Sequence, residues 1–487
     1  MELQTPDHFA NHKDAVEDQK KIRASRKNLY LAAISANLAL SACGCCFAWT
    51  SPVIPKLKQP GSFIHLDEFL GSWVGSLLML GSAVGPFIAG IMIDAVGRKW
   101  TLLVDSVVLL VAWAILASAQ SVWMLFVGRF MCGIAVGIIF MGVPLYIAEI
   151  AEDKLRGALG SVIELFLSAG FMIEYCAGPF LSYNNLILVS VILPILFIIT
   201  FIWMPESPHY LLASGRRTDA AKSLRWLRGN ISHDAVEKEI TQIEAFLEES
   251  SEKKVSLRDL ITNRGNLKAL YVSVGLLSLQ QLSGINVIQF YVQPIFVKTG
   301  SSLEPKYSAM IVGGVQLISA CFTAPLTRKL GFKIPLLISS AGTCVAQVLL
   351  GFYFYMEEQK MDAVVYFAWV PIFSLVLYIF VFCSGLGPLP WAVMGEMFAP
   401  NMKALASAVI TSFTFLLSFF VTKFFANICI RLGTHFAFGI FGASCGVSFV
   451  FVYYCVPNTK GMSLQDIQDK LNKVKTPPEP TKYVTKL

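Results

Sequence analysis

The chain has 487 residues, of which 55% are hydrophobic and only 15% charged, and its mean hydropathy is +0.61. Soluble domains carry roughly a quarter charged residues, so a soluble enzyme or binding module is excluded. The net charge of +7 is modest for this length and calls for no nucleic-acid partner.

The first 27 residues are polar and charged, with no cleavable leader pattern. Beyond them, apolar segments long enough to cross a bilayer recur along the whole chain. They predict twelve helical spans, roughly 29–55, 69–95, 101–119, 122–151, 157–180, 184–204, 268–299, 306–330, 334–355, 363–397, 402–428 and 434–456. The short alternating segments of an outer-membrane barrel are absent. The expected fold class is therefore an all-α membrane protein. Its expected organisation is a polar segment over 1–28, a six-helix bundle over 29–204, a hydrophilic linker over 205–267, a second six-helix bundle over 268–456 and a tail over 457–487. In the linker, Ile240, Ile243, Phe246 and Leu247 follow helical spacing, which predicts short amphipathic helices on the membrane surface.

Basic residues predict the orientation. Lys20, Lys21, Arg23, Arg26 and Lys27 precede span 1; Arg98 and Lys99 follow span 2; Lys154 and Arg156 follow span 4; Arg328, Lys329 and Lys333 follow span 8. Connections on the other side, such as "SAQS" and "LSYNN", are short and nearly neutral. By the positive-inside rule both termini and the linker are cytosolic. The sequon Asn230-Ile-Ser232 would then be unused.

Cys43, Cys45, Cys46, Cys132, Cys176 and Cys383 lie inside apolar runs and read as packing residues. The six histidines, among them His209, are scattered with no ligand spacing, so neither a metal nor another cofactor is expected. No Ser/His/Asp constellation points to an enzyme.

Two six-span halves flanking a charged linker predict an internal repeat. Span 4 ends "PLYIAEIAEDKLRGALGS" and span 10 ends "PLPWAVMGEMFAPNMKALAS". Each places a Glu seven residues before a cation, Glu149 before Arg156 and Glu396 before Lys403. Such pairs can join the ends of successive helices at the cytosolic rim. The loops "DAVGRKW" and "RKLGFKI" match in the same way. The repeat implies two pseudo-symmetric bundles around a central cavity.

These stretches, with "GRFMCGIAVG", "PESPHYLLASGRRTDAAKSLRWLRG", "QQLSGIN", "GPLPWAVMGEMF" and "VPNTKGMSLQDI", resemble the sugar porters of the major facilitator superfamily over essentially the whole chain. "AWTSPVIPKL" and "VTKFF" look most like the insect trehalose and hexose transporter branch. The resemblance implies a rocker-switch carrier of a small sugar, with the lipid bilayer as its environment and a monomer as its expected state; with no acidic di-leucine signal in the sequence, the plasma membrane is the expected location. It also implies a gating latch at the cytosolic rim. Asp94, Arg98, Lys99, Glu149, Arg156 and Glu206 belong to it in the first half, and Arg328, Lys333, Glu396 and Lys403 in the second.

A sugar is neutral and covered in hydroxyls, so its site needs carboxamides, which donate and accept, and aromatic faces. Span 7 supplies Gln280, Gln281 and Asn286, with Gly284 between them as a point of local unwinding. The resemblance adds Gln316, Trp391 and Thr414. Two acids interrupt span 5. Glu164 falls where these porters carry a substrate-contacting Gln, so it is expected to face the cavity. Glu174 lies about 80° away around the helix and is expected to be neutral, or paired at the cavity mouth. Three functions are open: facilitated diffusion of a hexose or trehalose, proton-coupled sugar or polyol symport using Glu164, and a non-transporting sugar sensor. Thr50, standing where proton-coupled relatives carry an Asp, favours the first. The short tail disfavours the third.

Overall fold

The computed structural model describes residues 26–229, 231–251, 257–298, 304–398 and 400–457. Most of the predicted polar N-terminal segment, Asn230 of the sequon and nearly all of the tail lie outside the described residues.

Among the described residues, twelve helices are long and apolar enough to cross a membrane. They are spans 1 to 12 below: Lys27–Leu57, Glu68–Val96, Arg98–Ala117, Val122–Ile150, Leu155–Ala177, Tyr183–Phe201, Arg264–Gln293, Lys306–Leu330, Lys333–Glu358, Val370–Met397, Met402–Leu432 and Thr434–Cys455. A helix satisfies its own backbone, which apolar surroundings demand. Starts are capped by side chains where the chain turns: the Asp67 carboxylate accepts from Leu70 N at 2.6 Å and Ser182 Oγ from Asn185 N at 3.4 Å. Large apolar side chains such as Ile91, Val107, Leu188 and Phe352 point outward, where lipid tails would lie.

The two halves repeat their packing. Span 1 lies on 5 and 6, span 2 on 4, and span 3 on 4 and 6; correspondingly span 7 lies on 11 and 12, span 8 on 10, and span 9 on 10 and 12. The halves meet through spans 2 and 11, 5 and 8, and the far ends of 1 and 7. The first half is drawn tight by glycines. A Cβ added at Gly81 would strike the Phe130 carbonyl of span 4, and one at Gly170 the Ser41 carbonyl of span 1. Close backbone approach of this kind gives dispersion contacts that lipid cannot supply.

Three spans are broken, and polar side chains satisfy the freed backbone. Span 1 changes helix at Trp49. Span 7 breaks between Leu282 and Ile285, where Gly284 adopts φ +84°. The Ser283 carbonyl exposed there accepts from Gln347 Nε2 at 2.7 Å and from the Tyr378 hydroxyl at 3.1 Å. Span 10 opens into a π-helical turn over Phe382–Leu386, just before Pro388 and Pro390. There Ser339 Oγ accepts from Leu386 N at 2.8 Å, and the Leu386 carbonyl accepts from Gln280 Nε2 at 2.8 Å.

The linker folds into short helices, Pro208–Ala213, Arg217–Arg228, His233–Ser251 and Leu257–Thr262. Leu224, Val236, Ile240 and Ile243 form a small core of their own. Phe246, assigned to the same apolar face from the sequence, is exposed and meets the His209 ring instead.

Candidate functional site: the chamber between the halves

One face of span 5 traces the chamber. Gly157, Gly160, Glu164, Ser168, Phe171 and Tyr175 recur every three or four residues and so share that face. At the end near the linker, Gly157 and Gly160 are exposed and a Cβ on either would meet open space. Glu164, midway, is partly exposed. Ser168 and Phe171 are buried, and the Tyr175 hydroxyl donates to the Gln289 carbonyl of span 7 at 2.8 Å. The space is therefore open toward the linker side and closed on the opposite side. Glu164 stands near its closed apex and faces the second half, where Cys383 is within reach of its charge. Among the described residues Glu164 has no ion-pair or hydrogen-bond partner.

Aromatic rings from both halves form the apex. Phe47 of span 1 stacks on Phe171 at 5.8 Å and on Phe290 of span 7 at 6.2 Å. Phe140 of span 4 lies 6.2 Å from Trp391 of span 10 and 5.6 Å from Phe415 of span 11. Trp391 is partly exposed to the chamber. The phenylalanines were invisible from sequence, because Phe in an apolar helix looks the same whether it faces lipid or lumen.

The carboxamides of span 7 form a chain. Asn286 Nδ2 donates to Gln281 Oε1 at 2.5 Å and to Ser418 Oγ of span 11 at 2.6 Å; Gln281 Nε2 donates to Gln280 Oε1 at 3.0 Å. Asn286 Oδ1 accepts no hydrogen bond among the described residues, and Gln316 Oε1 is buried without a partner. These are open valences for a polyhydroxylated ligand. Span 7 also brings Gln289 and Gln293 to the closed end, and Gln293 Nε2 is unpartnered. Their spacing from Asn286, three and seven residues, carried that signal in the sequence.

Two expected ligand residues are committed elsewhere. Gln280 directs its Nε2 to the Leu386 and Gly387 carbonyls and its Oε1 to Gln281, so it holds the span 10 break. Thr414 is fully buried and donates to the Ile410 carbonyl of its own helix at 2.7 Å, which removes its donor from the chamber.

Glu174 is not at a cavity mouth. It is fully buried inside the first half and accepts from Ser190 Oγ of span 6 at 2.5 Å. The positive charges of Arg129 and Lys56 reach it. Arg129, also fully buried, donates to the Cys46 carbonyl at 2.8 Å and the Val74 carbonyl at 3.1 Å and lies 5.4 Å from the Trp49 ring. The group ties spans 1, 2, 4, 5 and 6 together.

At the linker side, the first half carries a closed polar cluster. Arg98 Nη2 meets Glu149 Oε1 at 2.7 Å, and the Ser207 hydroxyl donates to the other Glu149 oxygen. Glu206 Oε1 accepts from the backbone N of Arg98 and Lys99 at 3.1 Å each and of Ser207 at 2.8 Å, capping the start of span 3. Burial holds the Glu206 carboxyl above its usual range against these donors. Gly97 is required there: φ is +92° and a Cβ would collide with Glu206.

The other expected latch pairs do not form among the described residues. Arg156 Nε donates to the Ala148 carbonyl at 3.2 Å, and Glu149 turns to Arg98 instead of Arg156 because Arg98 opens the neighbouring helix at the same depth. Asp94 is exposed with no ion pair among the described residues. Among the described residues Glu396 and Lys403 form no ion pair, although each lies within reach of the other's charge, and Arg328 is exposed. Lys333 donates to the Tyr453 carbonyl at 2.8 Å. The Arg98, Glu149 and Glu206 cluster joins the first half to the start of the linker and includes no residue of the second half.

Two packed six-helix halves around a one-sided chamber define a carrier of the major facilitator fold. A solved structure of the proton:xylose symporter XylE bound to 6-bromo-6-deoxy-D-glucose superposes with a TM-score of 0.76 at 22% identity, covering 92% of this chain and 100% of that one. The sugar (and other) transporter family matches residues 18–471. A facilitated trehalose transporter of Apis mellifera ligustica is 34% identical over 439 residues, 90% of this chain and 87% of the relative. Another from Anopheles gambiae is 36% identical over 445 residues, 91% of this chain but only 56% of that longer protein. The chain belongs to the sugar (and other) transporter family.

Proposed function

We propose that this sugar transporter carries a neutral hexose or trehalose down its gradient by alternating access. The observation that carries the reading is the hydrogen-bond chain from Asn286 to Gln281, with Asn286 Oδ1 accepting no bond among the described residues, together with the partly exposed Trp391 ring of span 10. Carboxamides take hydroxyls in either sense, and rings take the C–H faces of a sugar. In this reading Glu164, Gln281, Asn286, Gln316 and Trp391 contact the substrate, and Glu164 replaces an amide as a two-oxygen acceptor. The insect relatives named above support trehalose as the first candidate. The basic residues flanking spans 3, 5 and 9 support a cytosolic linker and termini, in a plasma-membrane monomer. Counterflow of labelled trehalose, glucose and other mono- and disaccharides into proteoliposomes tests the proposal; exchange of none of them rejects it.

A second reading, proton-coupled uptake, is favoured by one observation: Glu164 reaches the chamber with no cation to pair with. In that case an acid-outside gradient drives accumulation and Glu164→Gln abolishes the drive while leaving exchange intact.

A further inference from the structure

The hydrogen bonds between the halves gather on the side away from the linker. Tyr175 donates to the Gln289 carbonyl at 2.8 Å, and Ser51 Oγ accepts from Gln293 N at 3.3 Å. A charged side chain joins them. Lys423 of span 11 is only 6% exposed, yet its Nζ donates to Ser72 Oγ of span 2 at 2.7 Å. The ammonium lies 4.3 Å from the Phe69 ring centroid and 4.1 Å from that of Trp73. Phe69, Ser72 and Trp73 sit at i, i+3 and i+4 on the outer end of span 2, so a single helix face supplies the whole cage. No carboxylate joins it among the described residues: Asp67 is the acid whose charge reaches Lys423, and Glu68 is taken by Lys58 at 2.6 Å.

A cation buried between apolar helices is costly unless local groups replace its water. Here the replacements all belong to the opposite half of the protein. They exist only while spans 2 and 11 touch, which is the state closed on this side. When the halves part, the ammonium enters the widening chamber and regains water. An apolar side chain at 423 would favour contact and resist that exposure. A lysine is accommodated in both states and is held specifically in one.

We infer that Lys423, caged by Ser72, Phe69 and Trp73, is a positioning residue whose capture and release set the balance between the two states of the carrier. The inference needs alternating access but not the identity of the sugar. Two ring faces and a hydrogen bond in a desolvated site correspond to about tenfold or more in that balance.

Hydrogen–deuterium exchange of the full-length protein in lipid nanodiscs tests this without substrate. Lys423→Gln is expected to raise exchange at 66–80 and 285–298 and lower it at 155–164 and 395–406, because opening one side closes the other. Lys423→Arg keeps the charge and is expected to match the parent. Trp73→Leu removes the better ring and is expected to shift the same way as Lys423→Gln, and it stands in should that variant fail to fold. Parental exchange at all four segments, or a rise at all four, overturns the inference, since loosening alone would raise both sides together.

Discussion

Arg98 and Glu149 meet at 2.7 Å at the linker-side ends of spans 3 and 4, and both belong to the same six-helix half. With side-chain exposures of 14% and 11%, the pair is largely shielded from screening. It therefore braces one bundle as a rigid body rather than tying the two bundles together. Removing one partner with Arg98→Ala is expected to cost about 3 kcal/mol, because it strands a largely buried carboxylate. The melting temperature in detergent checks this. The double variant Arg98→Met, Glu149→Met is expected to recover most of the loss, since no unpaired charge remains.

Glu164 is partly exposed and has no ion-pair or hydrogen-bond partner among the described residues, so its contribution is expected to be to the ligand and not to the fold. Glu164→Gln preserves size and an acceptor and is expected to keep sugar exchange within about threefold of the parent, whereas Glu164→Leu is expected to lose about tenfold. Counterflow initial rates decide, with unchanged melting curves as the control.

Asn286 Nδ2 holds Gln281 and Ser418 in place, and in the proposed function its oxygen is left to accept from the substrate. Asn286→Leu leaves two polar partners unpaired and removes that acceptor. The half-saturating sugar concentration is expected to rise by about 10- to 100-fold, a larger effect than on maximal rate, because a site built around hydroxyls discriminates strongly when one bond is missing.

His209, beside the rim cluster, is half-buried with its Nδ1 shielded and unpartnered among the described residues, and desolvation lowers its pKa below the ordinary imidazole value. The folded state thus favours the neutral ring. The stability this gives is complete above the unfolded-state pKa of about 6.5 and is lost as pH falls through the folded value. Limited proteolysis of the 205–267 linker is expected to accelerate below about pH 6, and His209→Phe is expected to remove the acid sensitivity.

The chain's own sequence determined the spans, because a run of apolar side chains some twenty residues long has one low-energy fate in a bilayer. It also determined the repeat, through Glu149 and Glu396 in matching positions, and pointed to span 7 as the polar lining. It did not determine which polar groups are free. Gln280 and Gln281 are adjacent and chemically identical, yet the break in span 10 claims the first and leaves the second linked to Asn286. Glu164 and Glu174 share a helix, yet one faces the chamber and the other Ser190. Lys423 stands alone as a charge in the apolar run of span 11, and its partners come from span 2, far away in the chain. In each case the deciding neighbour is distant in the chain. Side-chain chemistry is written locally, but its availability depends on which donors and acceptors the packing of helices brings within 3 Å or so.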